Sequence, residues 1–561
     1  MKYETLIDEL KAIIKKAIVL NYNFRNEVAL KPDFSPDMDR IKNEKFGDYC
    51  TKFLFHLQIP QESIKIYGKY LVKKLSKMKS VFSKIEFVLP GFLNLTVTHQ
   101  FLDKYLNEVV EKKNKYGTFK KSKLFYNLEF VSANPTGNLH LGHARNAAYG
   151  DSLVNIWKIS GISVNKEYYI NDGGNQIEKL AESVYIRYLQ QFNVKVELPE
   201  DAYHGAEIIA IAKQIIKLHD KKYVGKHKLS KTDMEYFKKF STNVMLNTIK
   251  ETLANFGVKF DIWFHESDIY KKNLIPAILL ELKKYLYEQD GATFLRTTEF
   301  GDDKDRVLIK SDGSYTYFTP DIAYHNIKLL RGYNKIFNIW GSDHASYVNR
   351  VKIALQMIGY PADILTVKFQ QMIKLVKNGQ EFKMSKRTGN SLTLQDMLDT
   401  IGKDAARWYL VSTSFDSHLD IDVDKVTKQD NNNPIFYVQY AYARINQLLE
   451  KNKNSVILSK DLGLLISPIE KELKNLVVNY KHLIKQISTN CEVHWMCAYL
   501  QNLAKTFHSF YSNNKIVDPN SPAISGQRYL LSSIVKQVLG NGLKLLGIEP
   551  IDKMERETVT I

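Results

Sequence analysis

The chain has 561 residues, a net charge of +18 from 79 Lys and Arg against 61 Asp and Glu, 44% apolar residues and 25% charged ones. That length exceeds what one hydrophobic core serves and predicts about three domains, and the composition is that of an ordinary folded protein. No run of eighteen apolar residues occurs, which excludes a helical membrane span; Cys50, Cys491 and Cys497 form no Cys-x-x-Cys pair, which argues against a structural zinc site or a disulfide framework and for a cytoplasmic protein.

At the N-terminus, Leu6, Ile7, Leu10, Ile13, Ile14, Ala17 and Ile18 follow helical spacing among acidic residues, so the segment reads as an amphipathic helix and not a signal peptide. A turn-rich stretch with Pro32 and Pro36 follows, then a helical "IKIYGKYLVKKLSK", then "IEFVLPGFLNLTVT", a strand pair about a Pro90-Gly91 turn. Residues 1–118 therefore form a small α+β domain, bounded by the polar, basic run of residues 111–123. The next stretch alternates a strand ending near Ala133, a glycine loop, a helix over about 140–160, the strand "VNKEYYI", the loop "NDGGNQ" and another helix. That order is the signature of a Rossmann-like, doubly wound parallel sheet, assigned here to residues 119–398 with a polar helical insert at about 193–290. After the insert come the strand-rich "DRVLIKSDGSYTYFTPD" and the strand "KIFNIWGSDH". From residue 399 to 561 the texture is long apolar-periodic helices, an all-helical bundle.

Two short stretches carry the chemistry. In "PTGNLHLGHARN" two histidines, His140 and His143, stand three apart around Gly142, after the turn-formers Pro135 and Gly137. Three-residue spacing puts both imidazoles on one helix face, at a helix N-terminus where backbone N–H groups and the helix dipole favour phosphate. A packed histidine pair is an equally good reading of those four residues, and a metal half-site a weaker one, because no ligand partners lie at suitable spacing. In "GQEFKMSKRTGNS", Lys383 and Lys386 bracket Met384 and Ser385 in a glycine-flanked polar stretch. Lysines there can neutralise a departing pyrophosphate, although a solvated lysine loop would look the same. The surplus of positive charge fits a polyanionic partner or simply a lysine-rich surface.

With both motifs in this order across an α/β pattern, the chain resembles a class I aminoacyl-tRNA synthetase, whose signatures are His-x-Gly-His and Lys-Met-Ser-Lys. More closely it resembles the arginyl-tRNA synthetases. "GDYCTKFLFHL" and "LPGFLNL" are similar to that family's extra N-terminal domain. "LEFVSANPTGNLHLGHARNAAYGD", "YYINDGGNQI", "YTYFTPDIAYH", "IWGSDHASYVNRVK" and "EFKMSKRTGNSLTL" are similar to its catalytic core. "NPIFYVQYAYARI" and "LLGIEP" are similar to its anticodon-binding helices.

The resemblance implies MgATP, L-arginine and tRNA(Arg) as substrates, no structural zinc, no membrane partner and a monomer. It places the catalytic role on His140, His143, Lys383 and Lys386, and ATP binding on Gly137, His140, Gly142, His143, Gly341, Asp343, Met384 and Ser385. Arginine would meet Glu129, Asn134, Tyr317, Asp321, Tyr324 and His344. Carboxylates suit that task because a guanidinium is planar, always charged and best held by paired oxygen acceptors. Asp172 in "NDGGNQ" fits either the crevice edge or a loop cap. A cysteine-specific synthetase would want zinc ligands, and a glutamate-specific one basic residues in place of Glu129 and Asp321. A catalytically dead tRNA-binding regulator and a small nucleotidyltransferase are the remaining alternatives; intact His140, His143, Lys383 and Lys386 oppose the first, and the helical C-terminal third opposes the second.

Overall fold

A computed structural model describes residues 3–21, 24, 34–41, 44–226, 229–342, 345–381 and 392–554. The first helix, Leu6–Val19, starts where Thr5 Oγ1 accepts the Asp8 N–H at 3.0 Å, satisfying one of its free amides, and buries Leu6, Ile7, Leu10, Ile14, Ala17 and Ile18. The N-terminal sheet is antiparallel, with strands β1 (Asp39–Arg40), β2 (Tyr49–Thr51), β3 (Phe82–Val88) and β4 (Phe92–Val97) in the order β1-β2-β4-β3. The hairpin between β3 and β4 turns at Pro90-Gly91, as the sequence implies.

The central sheet is parallel throughout: β5 (Phe125–Glu129), β6 (Ser163–Ile170) and β7 (Ile262–His265), then β11 (Lys335–Gly341) and β12 (Leu365–Gln370). Between these two groups lies a small antiparallel sheet of β8 (Leu286–Gln289), β9 (Ala292–Leu295) and β10 (Arg306–Ile309). The spatial order of the central sheet is β12-β11-β5-β6-β7, so the chain winds outward in one direction from β5 and in the other from β11. The crevice at the carboxyl ends of β5 and β11 is thus the topological switch point, where an open α/β sheet binds its ligands.

The structure differs from the sequence reading in three places. The helical insert does not run unbroken to residue 290. Helices Gly174–Gln190, Ala206–His219 and Lys231–Asn255 share their own core around Tyr188, Ile211 and Phe237, and β7 then returns to the main sheet. Four residues, Ile262 to His265, are too few to show a period that marks that edge strand. Second, "YTYFTPD" is not strand: Phe318 opens the helix Phe318–Leu330. Third, past residue 399 the chain still contributes β15 (Leu419–Asp422), which pairs in parallel with β13 (Ile373–Lys377), itself paired with β14 (Gln380–Glu381).

The C-terminal helices Pro434–Asn452, Pro468–Asn490, His494–Asn513 and Pro522–Leu545 form a bundle. Three of them begin with proline, whose missing N–H costs nothing in the first turn. One apolar core runs from Leu6 through Trp157 to Ile548, so N-terminal domain, sheet and bundle are welded together. Among the described residues no helix is long and apolar enough to cross a membrane.

Candidate active site

The histidine helix, Leu141–Ile159, leaves β5 through the loop 130–139, and its first turn is capped by histidines. His140 occupies the cap position in extended conformation, and its Nδ1 accepts the Gly142 N–H at 3.1 Å. In return His143 Nδ1 accepts the His140 N–H at 3.2 Å. This is a reciprocal capping box built from two imidazoles, whose rings lie 3.7 Å apart. Because both Nδ1 atoms accept, each neutral ring carries its proton on Nε2. Burial, and then the neighbouring His140, pushes His143 down to about 3; burial also lowers His140. Both rings are therefore neutral donors near pH 7. A Cβ on Gly142 would stand 2.8 Å from His140 Cε1 and 3.1 Å from Gln370 Nε2, so only glycine lets the ring lie over the backbone.

These rings line a cleft of about 470 Å³ over the ends of β5 and β11. Of the sequence-predicted residues, Glu129, Asn134, His140, Gly142, His143, Asp321, Tyr324 and Gly341 all face it. Glu129, the last residue of β5, is buried in the middle of the sheet. Its Oε2 accepts from Lys328 Nζ at 2.5 Å and from the Tyr324 hydroxyl at 3.0 Å, and its Oε1 from Ser132 Oγ at 3.3 Å. Asp321 comes from the helix Phe318–Leu330 and accepts the Tyr347 hydroxyl at 2.5 Å. Burial raises its carboxyl to about 7; the Tyr347 donor and Lys328 lower it, while Glu129 and Glu266 raise it further. The cleft thus holds a carboxyl that burial disfavours as an anion and that, among the described residues, forms no ion pair, since Lys328 is bonded to Glu129 instead; in such a setting a cationic ligand gains most.

Two predicted residues lie elsewhere. Tyr317 is 89% exposed at the start of its helix and Gly137 sits in the loop; neither lines the cleft. A Cβ on Gly137 would meet nothing within 4 Å. Asp343, His344, Lys383, Met384, Ser385 and Lys386 lie outside the described residues. The chain that follows the lysine motif is held on the histidine loop, because Leu394 N–H donates to the Leu139 carbonyl at 2.7 Å and Thr393 bridges His140. Asp172 is a cap: it accepts from Ser267 N–H at 2.9 Å, Ser267 Oγ at 2.8 Å and His265 Nδ1 at 2.8 Å. Sequence reasoning missed Ser132, Asn146, Tyr169, Tyr347 and Gln370 on the cleft wall. Asn146 had a signal, one turn beyond His143 on the same face; the others are joined only by folding.

A parallel sheet with a histidine-capped helix at its switch point, joined to a helical bundle, defines a class I aminoacyl-tRNA synthetase. The family model "tRNA synthetases class I (R), catalytic domain" matches residues 105–454, flanked by "Arginyl tRNA synthetase N terminal domain" at 4–97 and "DALR anticodon binding domain" at 438–554. The chain is 44% identical to the arginine–tRNA ligase of Malacoplasma penetrans, over 97% of this chain and 98% of that one. It is 34% identical to a solved arginyl-tRNA synthetase structure from Campylobacter jejuni, with TM-score 0.75 over 81% of this chain and 99% of the other. The Thermus thermophilus arginyl-tRNA synthetase shares the fold, with TM-score 0.76 at 19% identity over 98% of this chain and all of that one. The chain belongs to the arginyl-tRNA synthetase family: it is an aminoacyl-tRNA synthetase that couples arginine to tRNA.

Proposed function

We propose that the cleft performs both steps on named side chains. The arginine guanidinium pairs with Asp321, whose carboxylate ionises when the cation arrives, and Glu129 Oε1 with Asn134 receives the amino-acid end. The arginine carboxylate then attacks the α-phosphate of MgATP, pyrophosphate leaves, and arginyl-adenylate forms. Nε2–H of His140 and His143 donates to the α-phosphate oxygens as charge grows there, at the end of a helix whose dipole favours anions. Lys383 and Lys386 neutralise the departing pyrophosphate, Gly142 and Gly341 allow the nucleotide to approach the backbone, Gly137 shapes the loop, and Asp343 takes the ribose. Met384 and Ser385 complete the nucleotide's cover, and His344 adjoins the amino acid. Tyr317, four residues before Asp321 and exposed to solvent, reaches the guanidinium only when its ring turns in from solvent; Tyr324 acts through Glu129. In the second step the 2′-OH of the terminal tRNA(Arg) adenosine attacks the adenylate and AMP leaves. No protein nucleophile is required; positioning and charge carry the rate.

The anticodon loop meets the bundle surface where Arg444 lies 4.1 Å over the Tyr511 ring and beside Tyr440, since unstacked bases rest on aromatic and guanidinium faces. The enzyme acts as a cytoplasmic monomer of three domains, 1–118, 119–398 and 399–561. What carries this reading is one observation: Asp321, Glu129, His140 and His143 line a single cleft. ATP–pyrophosphate exchange with each of the twenty amino acids, with and without total tRNA, tests it. Exchange with arginine alone, abolished by Asp321→Ala, is expected; exchange with another amino acid overturns the substrate assignment.

A further inference from the structure

On the helix Phe318–Leu330, Asp321, Tyr324, His325 and Lys328 share one face by their three- and four-residue spacing. Asp321, Tyr324 and His325 reach the cleft; Lys328 does not, and is wholly buried beneath it. A buried lysine is costly unless its charge is paired and its protons are used. Lys328 Nζ donates to Glu129 Oε2 and, at 3.0 Å, to Asn338 Oδ1, and lies 4.5 Å from the Tyr324 ring. Asn338, in the middle of β11, passes the chain on: its Nδ2 donates to His325 Nε2 at 2.8 Å, and His325 Nδ1 donates to the Asp321 carbonyl at 2.8 Å. The direction of each of those bonds is fixed, because the lysine can only donate and the His325 Nδ1–H leaves Nε2 as an acceptor. Its two ends are the side chain of Glu129 and the backbone of Asp321, the two carboxylate residues of the cleft.

We propose that Lys328 is a positioning residue for the amino-acid substrate: it commits Glu129 Oε2 to the floor so that only Oε1 faces the cleft, and through Asn338 and His325 it sets Asp321 against Glu129. Its charge also cancels that of Glu129, so a monocation entering beside Asp321 meets one uncompensated negative charge, not two. The inference rests on the reading of this cleft as the arginine pocket.

The test compares the parent with Lys328→Met, which keeps the length of the side chain and removes its charge, and with Lys328→Arg. Steady-state aminoacylation is followed with arginine and ATP varied separately. Lys328→Met is expected to raise the KM for arginine at least tenfold and leave the KM for ATP within twofold, and Lys328→Arg to recover most of the loss. Should Lys328→Met fail to fold, Asn338→Ala, which keeps the buried charge pair and cuts only the branch to Asp321, should raise the arginine KM about fivefold with the same indifference to ATP. Parallel changes in both KM values, or a fall in kcat alone that tracks the folded fraction, would overturn the proposal. A parent that activates a different amino acid would sink the pocket reading itself; a parent saturated by arginine whose variants keep its KM would sink only the role of Lys328.

Discussion

His143 Nδ1 accepts the His140 amide while His140 Nδ1 accepts the Gly142 amide, so each ring gives its Nδ1 lone pair to the backbone and carries its proton on Nε2. The same bonds that start the helix therefore set the tautomer that the chemistry needs. Substituting His140 by asparagine should separate the two duties, since an asparagine side chain also caps a helix well. Pyrophosphate exchange by His140→Asn should fall by roughly 10²–10³, the usual loss for one donor to developing charge, with an almost unchanged melting temperature. An equal loss of stability and rate would mean that the ring serves the helix alone.

Gly142→Ala gives effects of opposite sign. Alanine in a helix is favoured over glycine by up to about 1 kcal/mol, but its Cβ would press within 3.0 Å of His140 Nδ1. The variant should melt no lower than the parent and yet turn over at least tenfold more slowly in ATP–pyrophosphate exchange.

The carboxyl of Asp321 is raised to about 7, chiefly by burial. Arginine needs the ionised form, and below that pH protons compete with it for the same oxygens. One proton against one cation makes the KM for arginine fall about tenfold between pH 6 and pH 8. His143, held near 3, stays neutral across this window and adds no inflection. Initial rates at varied arginine from pH 6 to 8.5 measure it, and Asp321→Asn should give a high, flat profile. An inflection that survives in Asp321→Asn belongs to another group.

How much of this was legible in the sequence follows from how far apart the partners lie along the chain. The unit from β5 through the histidine helix to β6 occupies residues 125–170, and its strand, glycine loop and helix follow from local period and turn chemistry. His140 and His143 fall within that unit, and spacing alone put both on one crevice; Glu129 and Asn134 fall within it too, but their role came from the family resemblance. Asp321 was placed by its resemblance to a family motif; its Tyr347 partner, 26 residues on, has no local signal. Tyr317 shows the limit of such transfer: the spacing to Asp321 is a helical turn, yet the ring stands in solvent. Lys328 is still less visible, since its bond to Glu129 spans 199 residues, and a lysine in a helix reads as surface until the fold buries it.

A tie that spans 256 residues gives a prediction about stability. Arg407, wholly buried, donates to Asp151 Oδ2 on the histidine helix at 2.8 Å, while Lys166 on β6 donates to Asp151 Oδ1 at 3.0 Å. Two cations thus share one carboxylate, and the surplus charge is met by backbone oxygens: Arg407 Nε donates to the Leu546 carbonyl at 2.5 Å, just past the last helix, where the dipole is negative. Removing the arginine and removing the aspartate are therefore unequal. Arg407→Leu leaves a balanced Asp151–Lys166 pair and costs mainly the orphaned Leu546 carbonyl, about 2 kcal/mol. Asp151→Asn leaves two buried cations facing one neutral amide, and breaking such a site costs about 4 kcal/mol. Thermal unfolding of the two variants should rank Asp151→Asn clearly below Arg407→Leu, and both below the parent. The reverse order would mean that the guanidinium's packing against Phe256, and not the charge balance, is what joins the histidine helix to the end of the bundle.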